Sequence, residues 1–341
     1  MAARRGDTLL FPTPPVVAAH AAIGGKKEGE GPLAACFDEL SADNFFGQSN
    51  WEAAEKEMAL RVARLCLKKA ETTPDKVSLA LAGDLQAQCT ASSYALRELG
   101  IPFAGLFGAC SMMAEALGLG AALCSAGMAD GLLAMTSSHF CAAERQFRTP
   151  LSYGAVRTPT AQWTATAAGA CLLRPAGEGV QLCAATFGRV QDYKIKDINN
   201  MGAAMAPAAA ATLLRYLKDT GSAPADFDRI YTGDLGHVGS QLLRDLLAAE
   251  GLLLKNHVDC GCILYDAAEQ TVKSGGSGPG CCASVLCGHI LPRLEKGTQK
   301  RVLFIATGAL MSQTTFLQKE SIPAIAHLVE LRSPQQKEEN E

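Results

Sequence analysis

The sequence predicts an α/β protein of two similar halves, stacked in five layers in the order α-β-α-β-α. Three observations carry this reading. Short apolar runs alternate with helical stretches along the whole chain, the pattern of mainly parallel sheets covered by helices. The tripeptide Gly-Asp-Leu at 83–85 returns at 233–235, and the same order of elements returns with it. Two stretches, Met112 to about Ala126 and Cys281 to about Leu291, are nearly free of charge. Helices that are apolar all round must be buried on every side, so these two belong between the sheets.

In order, Ser49 and Glu52 stand at capping-box spacing before a helix that runs to about Ala70. Thr72-Thr-Pro-Asp75 breaks it, and Val77 to Leu81 is a short buried strand. A helix from about Ser92 stops at Gly100, Phe103 to Phe107 is an apolar run, and Gly108-Ala-Cys-Ser111 opens the first buried helix. Leu132 to Thr136 is the next strand. The second half repeats the order with a helix at Ala208 to Leu217 and a strand at Arg229 to Thr232. A helix from Val238 to Ala249 and a strand at Cys262 to Tyr265 come next. A glycine-rich turn, Gly275 to Gly280, precedes the second buried helix and the strand Arg301 to Ala306. The halves divide as 1–185 and 186–332, and the polar stretch 333–341 is expected to be a disordered tail.

Composition narrows the function classes. The 341 residues are 48% apolar and 19% charged, which excludes a disordered chain, a collagen and a coiled coil. A net charge of −3 offers no basic field for nucleic acid or anionic lipid. No apolar run approaches the ~20 residues that a bilayer requires. The thirteen cysteines are odd in number and lack CxxC pairs. Cys260-Gly-Cys262 and Cys281-Cys282 are poor zinc spacings, and Asp259-Cys-Gly-Cys262 has no second cluster, so no metal site is expected. Most of the thiols are expected to be small buried hydrophobes.

A Gly-Ala-Cys-Ser turn at the head of a buried helix, in a duplicated α/β chain, resembles the thiolase and ketosynthase superfamily. Longer strings narrow this. They are Ser137-Ser-His-Phe140 with Ala143-Glu-Arg-Gln-Phe-Arg148, Thr158-Pro-Thr-Ala-Gln-Trp163, Asn200-Met-Gly-Ala-Ala-Met-Ala-Pro207, and Lys319-Glu-Ser-Ile-Pro-Ala-Ile-Ala-His327. Together they resemble the stage V sporulation protein AD family, thiolase-fold members of the dipicolinate transport complex of endospore-forming bacteria. The resemblance covers Leu9 to Leu331. It implies a non-enzymatic protein that binds dipicolinic acid (pyridine-2,6-dicarboxylate), without a cofactor. It also implies partners, the membrane subunits of the stage V sporulation A complex, and a homodimer. The chain would be cytoplasmic, held peripherally at the forespore and spore inner membrane, and would serve dipicolinate import and its release at germination.

Candidate ligand-binding residues follow. At the N-terminus of a buried helix, free amides and the helix dipole favour a thiolate at Cys110. His237 follows the second Gly-Asp-Leu turn, where condensing members of the superfamily carry a histidine that polarises a thioester carbonyl. The resemblance places Ser277, Gly278 and Gly280 in the glycine-rich turn that closes the site. A dianion calls for cationic donors, so Arg145, Arg148 and Arg157 are candidates, with Ser138 and His139 at a strand end. Asp234 is read as structural or as orienting His237. Each has an ordinary alternative: core packing for Cys110, capping for His237, solvation for the arginines. The rival function is a condensing acyltransferase with Cys110 as nucleophile and His237 as oxyanion donor. Against it, the segment lacks the second histidine or asparagine of ketosynthases, and Thr307-Gly-Ala-Leu-Met311 lacks the second cysteine of thiolases.

Overall fold

The computed structural model describes residues 3–147 and 157–334. Ten strands form the frame, five from each half. The first half contributes β1 (Val16–Gly24), β2 (Leu79–Gly83), β3 (Phe103–Gly105), β4 (Leu132–Ser138) and β5 (Ala167–Arg174). The second contributes β6 (Val180–Thr186), which spans the expected division at 185/186 and pairs along its length with the last strand, then β7 (Arg229–Thr232), β8 (His257–Asp259), β9 (Arg301–Ala309) and β10 (Ala324–Arg332). The first set runs β3-β2-β4-β5-β1 and the second β8-β7-β9-β10-β6, so the two topologies are the same. In each, the three outer strands are parallel and the last two are antiparallel. A short antiparallel contact, Val180 to Val17 and Gln181 to Val16, joins them edge to edge.

The helices sort into layers by the faces they bury. Helices α1 (Trp51–Lys69) and α2 (Thr90–Leu99) cover the outer face of the first set, through Met58, Val62 and Leu96 against Ala80, Leu133 and Met135. The helix α3 (Met112–Ser125) packs in a central core with residues of both sets, among them Leu132, Leu173, Phe304 and Val329. Two glycines let α3 press on both sides. A Cβ at Gly120 would come within 2.7 Å of Leu132 and Leu173, and one at Gly118 within 3.2 Å of Ala185. Each glycine costs the helix about 1 kcal/mol of propensity relative to alanine, which close layering offsets. On the far side, α5 (Met201–Thr220) and α6 (Gly236–Ala249) bury Leu213, Tyr216 and Leu243 against Ile230, Leu303 and Ile305. The expected five layers are therefore present.

Several local expectations are corrected. The first helix is capped by Asn50, whose side chain accepts from the Ala53 amide, not by Ser49. The strand expected at Cys262 to Tyr265 is instead a short helix, α7 (Cys260–Leu264). Its cap is Asp259, which accepts from the Cys262 amide and ends strand β8 one turn earlier. The second buried helix starts at Pro279 as α8 (Pro279–Val285), continues as a π turn (Leu286–Ile290) and ends as α9 (Leu291–Glu295). Ser333 is tied by its amide to the Lys300 carbonyl, and the tail beyond Pro334 lies outside the described residues.

Candidate functional site

A cavity of about 320 Å³ opens at the carboxyl ends of the parallel strands, where ligands of open α/β sheets bind. Its wall is mostly apolar, with Leu85, Phe107, Phe147, Met201, Met205 and Met311. Polar atoms come from Glu144, Gln162, Thr164, Asn199, Ser277 and Ser312. Phe107 is 62% exposed and stands at the mouth.

Cys110 lines this cavity and is itself buried. Ala109 before it has φ +54°, a left-handed conformation that costs an L-residue about 1–2 kcal/mol. That turn sets Cys110 at the head of α3, with the Ser111 hydroxyl closing it on the Gly108 carbonyl at 2.7 Å. The surroundings work against the thiolate expected there. Burial first, and then the neighbouring Asp234 carboxylate, hold the Cys110 thiol well above the ordinary range.

Asp234 is the hub. Its Oδ2 accepts from the Ser277 hydroxyl and the Gly278 amide, both at 3.0 Å, and its Oδ1 from the Thr307 hydroxyl at 2.9 Å. The Cys110 thiol completes the set. Burial raises the pKa of this carboxyl, and the donors oppose that rise. The turn is fixed from below by Asp259, which accepts from the Leu235 and Gly236 amides and the Thr232 hydroxyl. From above, the Gln162 side-chain amide donates to the Asp234 and Gly276 carbonyls at 2.6 and 2.9 Å.

The other candidates separate. Ser277 faces the cavity. Gly278, at φ +100°, gives its amide to Asp234, and a Cβ there would meet Ser138 Oγ at 2.6 Å. Gly280 gives its amide to Ser138, whose hydroxyl also donates to the Ala165 carbonyl. Ser138 and Gly280 thus lock the turn from behind and are not in the cavity wall. His139 is buried, donating from Nε2 to the Asn44 carbonyl while Nδ1 accepts from the Ala142 amide; burial lowers its basicity. His237 is exposed at the start of α6 and is not in the cavity wall. Left-handed Gly236, φ +64°, turns the chain there, and the His237 amide donates to the Ser274 carbonyl. Asp234 therefore does not orient it.

Arg145 pairs with Glu52 at 3.0 Å and covers the Trp51 ring, outside the cavity. Arg157 pairs with Glu144 at 3.2 Å, one layer behind the wall. Arg148 lies outside the described residues. Cys281 and Cys282 are fully buried and point their thiols at the Gly233 carbonyl and at the Pro279 and Cys110 carbonyls. Among the described residues, no three metal-binding side chains converge, and no helix is long and apolar enough to cross a membrane. Sequence reasoning missed Glu144, Gln162 and Asn199 as wall residues, although all three lie in or beside the strings that carry the resemblance.

A family model for stage V sporulation protein AD matches residues 5–332. The chain belongs to the stage V sporulation protein AD family. The family member of Bacillus subtilis (strain 168) is 41% identical over 322 residues, 94% of this chain and 95% of that one. In fold it is similar to condensing enzymes. Cerulenin-bound OleA from Xanthomonas campestris superposes with a TM-score of 0.63 at 14% identity, over 97% of this chain and 99% of that one. The 3-oxoacyl-[acyl-carrier-protein] synthase III of Aquifex aeolicus VF5 gives 0.56 at 12% identity, over 93% and 99%. Relative to the histidine that the superfamily resemblance implies, this AD-family chain sets a carboxylate, Asp234, beside the cysteine at the cavity floor.

Proposed function

We propose that this AD-family protein binds dipicolinic acid without transforming it. In this reading it serves membrane subunits of the sporulation complex that carry dipicolinate into the forespore and release it at germination. The chain would be held at the membrane by those partners and would act as a dimer. The observation that carries the reading is a retained cavity whose floor pairs Cys110 with Asp234. A thiol held protonated beside a carboxylate is a poor nucleophile, because attack requires the thiolate. A neighbouring carboxylate also repels the negative charge that develops on a thioester oxygen during acyl transfer. The cavity, by contrast, keeps a volume at the low end of small-molecule sites, about 300–1,000 Å³. Its apolar wall suits a flat aromatic ring, and Asn199 and Thr164 offer donors for carboxylate oxygens.

Calorimetric titration of the purified protein tests the reading, with the 2,4-isomer as control. Saturable heat with pyridine-2,6-dicarboxylate alone is the expected result. Absence of heat at millimolar ligand would overturn stand-alone binding. A mass shift on Cys110 after incubation with acyl-CoA, lost in Cys110→Ala, would favour acyl transfer instead.

A further inference from the structure

Glu144 is the charged side chain in the described cavity wall, and it meets the cavity already paired. Its partner Arg157 is held by contacts that do not involve Glu144. The guanidinium carbon sits 5.5 Å from the Phe140 ring centre and 5.4 Å from that of Trp163. Those rings stack on each other, with centres 3.7 Å apart and planes 8° from parallel. One guanidinium nitrogen also donates to the Gln162 carbonyl. Arg157 is thus a fixed cation behind the wall, only 15% exposed, and Glu144 occupies the anion position in front of it.

An anion entering this apolar cavity meets a carboxylate before it meets a guanidinium. We propose that Glu144 is an internal competitor, and that a dicarboxylate ligand binds by taking its place on Arg157. The proposal rests on the dipicolinate reading and names the two residues that set its charge selectivity. The chemistry is a like-for-like exchange of one carboxylate for another on a guanidinium fork. Glu144 stands on helix α4 (Phe140–Phe147) at the wall, and the stacked rings and the Gln162 carbonyl hold Arg157 independently of it. The neighbouring pair Arg145 and Glu52 shows the contrast: it is open to solvent, with Arg145 52% exposed, and offers no enclosed position for a ligand.

The test compares affinities of the intact chain for pyridine-2,6-dicarboxylate and the neutral pyridine-2,6-dicarboxamide. Glu144→Gln removes the competitor at nearly constant shape. It is expected to bind the dicarboxylate about tenfold more tightly, with the dicarboxamide unchanged. Arg157→Gln should abolish the preference for the dicarboxylate and cancel the gain when combined with Glu144→Gln. If Arg157→Gln fails to fold, the Glu144→Gln ratio of the two ligands decides alone. Wild-type binding of the dicarboxylate, with Glu144→Gln equal or weaker, overturns the competition and leaves the dipicolinate reading standing. No binding by either protein overturns both. Binding by Glu144→Gln alone upholds the competition and removes dipicolinate as the ligand of the native chain.

Discussion

The two Gly-Asp-Leu turns hold the same place in the two sheets, at the end of β2 and of β7, yet they serve different ends. Asp84 closes on its own half. It accepts from the Gln86 amide and from the Ser92 amide and hydroxyl, all within eight residues, and so caps α2. Asp234 reaches away from its own turn, to Ser277, Gly278 and Thr307 and to Cys110 of the other half. The two buried helices differ in the same sense. The head of α3 opens on the cavity through Cys110, whereas the head of α8 is sealed against Ser138 and Ala167. A duplicated fold thus supplies two equivalent corners, and long-range partners decide which becomes a site.

The largest expected effect lies at the sealed corner. A Cβ on Gly280 would fall 2.0 Å from the Ala167 carbonyl oxygen, a backbone atom that cannot step aside. Gly280→Ala is expected to lose about 3 kcal/mol or more of stability in denaturant unfolding. Cys110→Ala, at the open corner, should lose only about 1 kcal/mol, since its neighbour on one side is the cavity. Equal midpoints for the two variants would erase the distinction between sealed and open heads.

The first corner carries its own charge problem. Glu55 is fully buried beside Asp84, and burial, then the Asp84 charge, push its carboxyl up from 4.5 to about 8. Hydrogen bonds from Gln86 and Ser137 only partly oppose this. A carboxyl with a raised value in the folded state holds its proton more tightly there than in the unfolded chain. Its contribution to stability is therefore present at low pH and is lost as pH rises from about 4.5 through about 8. Melting of wild type and Glu55→Gln at pH 5 and pH 9 isolates this group. The wild type should fall relative to the variant at the higher pH, by on the order of a few kcal/mol. Parallel pH profiles would mean that Asp84 and Glu55 are not a strained pair, and the two corners would be alike in carrying tolerated acids.

Much of this frame is legible in the sequence, and the exceptions have physical causes. Strand β7, the stop of α2 at Gly100 and the span of α3 follow from local patterns, because capping and all-round apolarity are local signals. The strands β1, β5, β6 and β10 escape such reading. Ala167-Ala-Gly-Ala-Cys-Leu-Leu173 is buried along its whole length, so it lacks the alternation that marks a strand, and its small residues suit a helix equally well. At the site, Cys110 and Ser277 are legible from the turns that present them. The role of Asp234 is not, since its side-chain partners lie 43 to 73 residues onward or in the other half. His237 misleads for a related reason: only two residues separate it from Asp234, and one of them, left-handed Gly236, turns it outward.

The smallest effect is also the most direct probe of the difference between the corners. If the Asp234 charge helps hold the Cys110 proton, Asp234→Asn should lower the thiol's pKa while keeping partners for Ser277, Gly278 and Thr307. A larger thiolate fraction reacts faster, so alkylation of Cys110 by iodoacetamide near pH 8 should quicken several-fold. Peptide mass spectrometry reads this at Cys110 against the other twelve cysteines, which serve as internal references. Asp84→Asn, the same change at the equivalent turn, should leave the Cys110 rate unaltered. An unchanged rate in Asp234→Asn would mean that burial alone silences the thiol. The carboxylate would then be a structural hub like its counterpart, and what separates the two halves would be the open cavity rather than the charge at its floor.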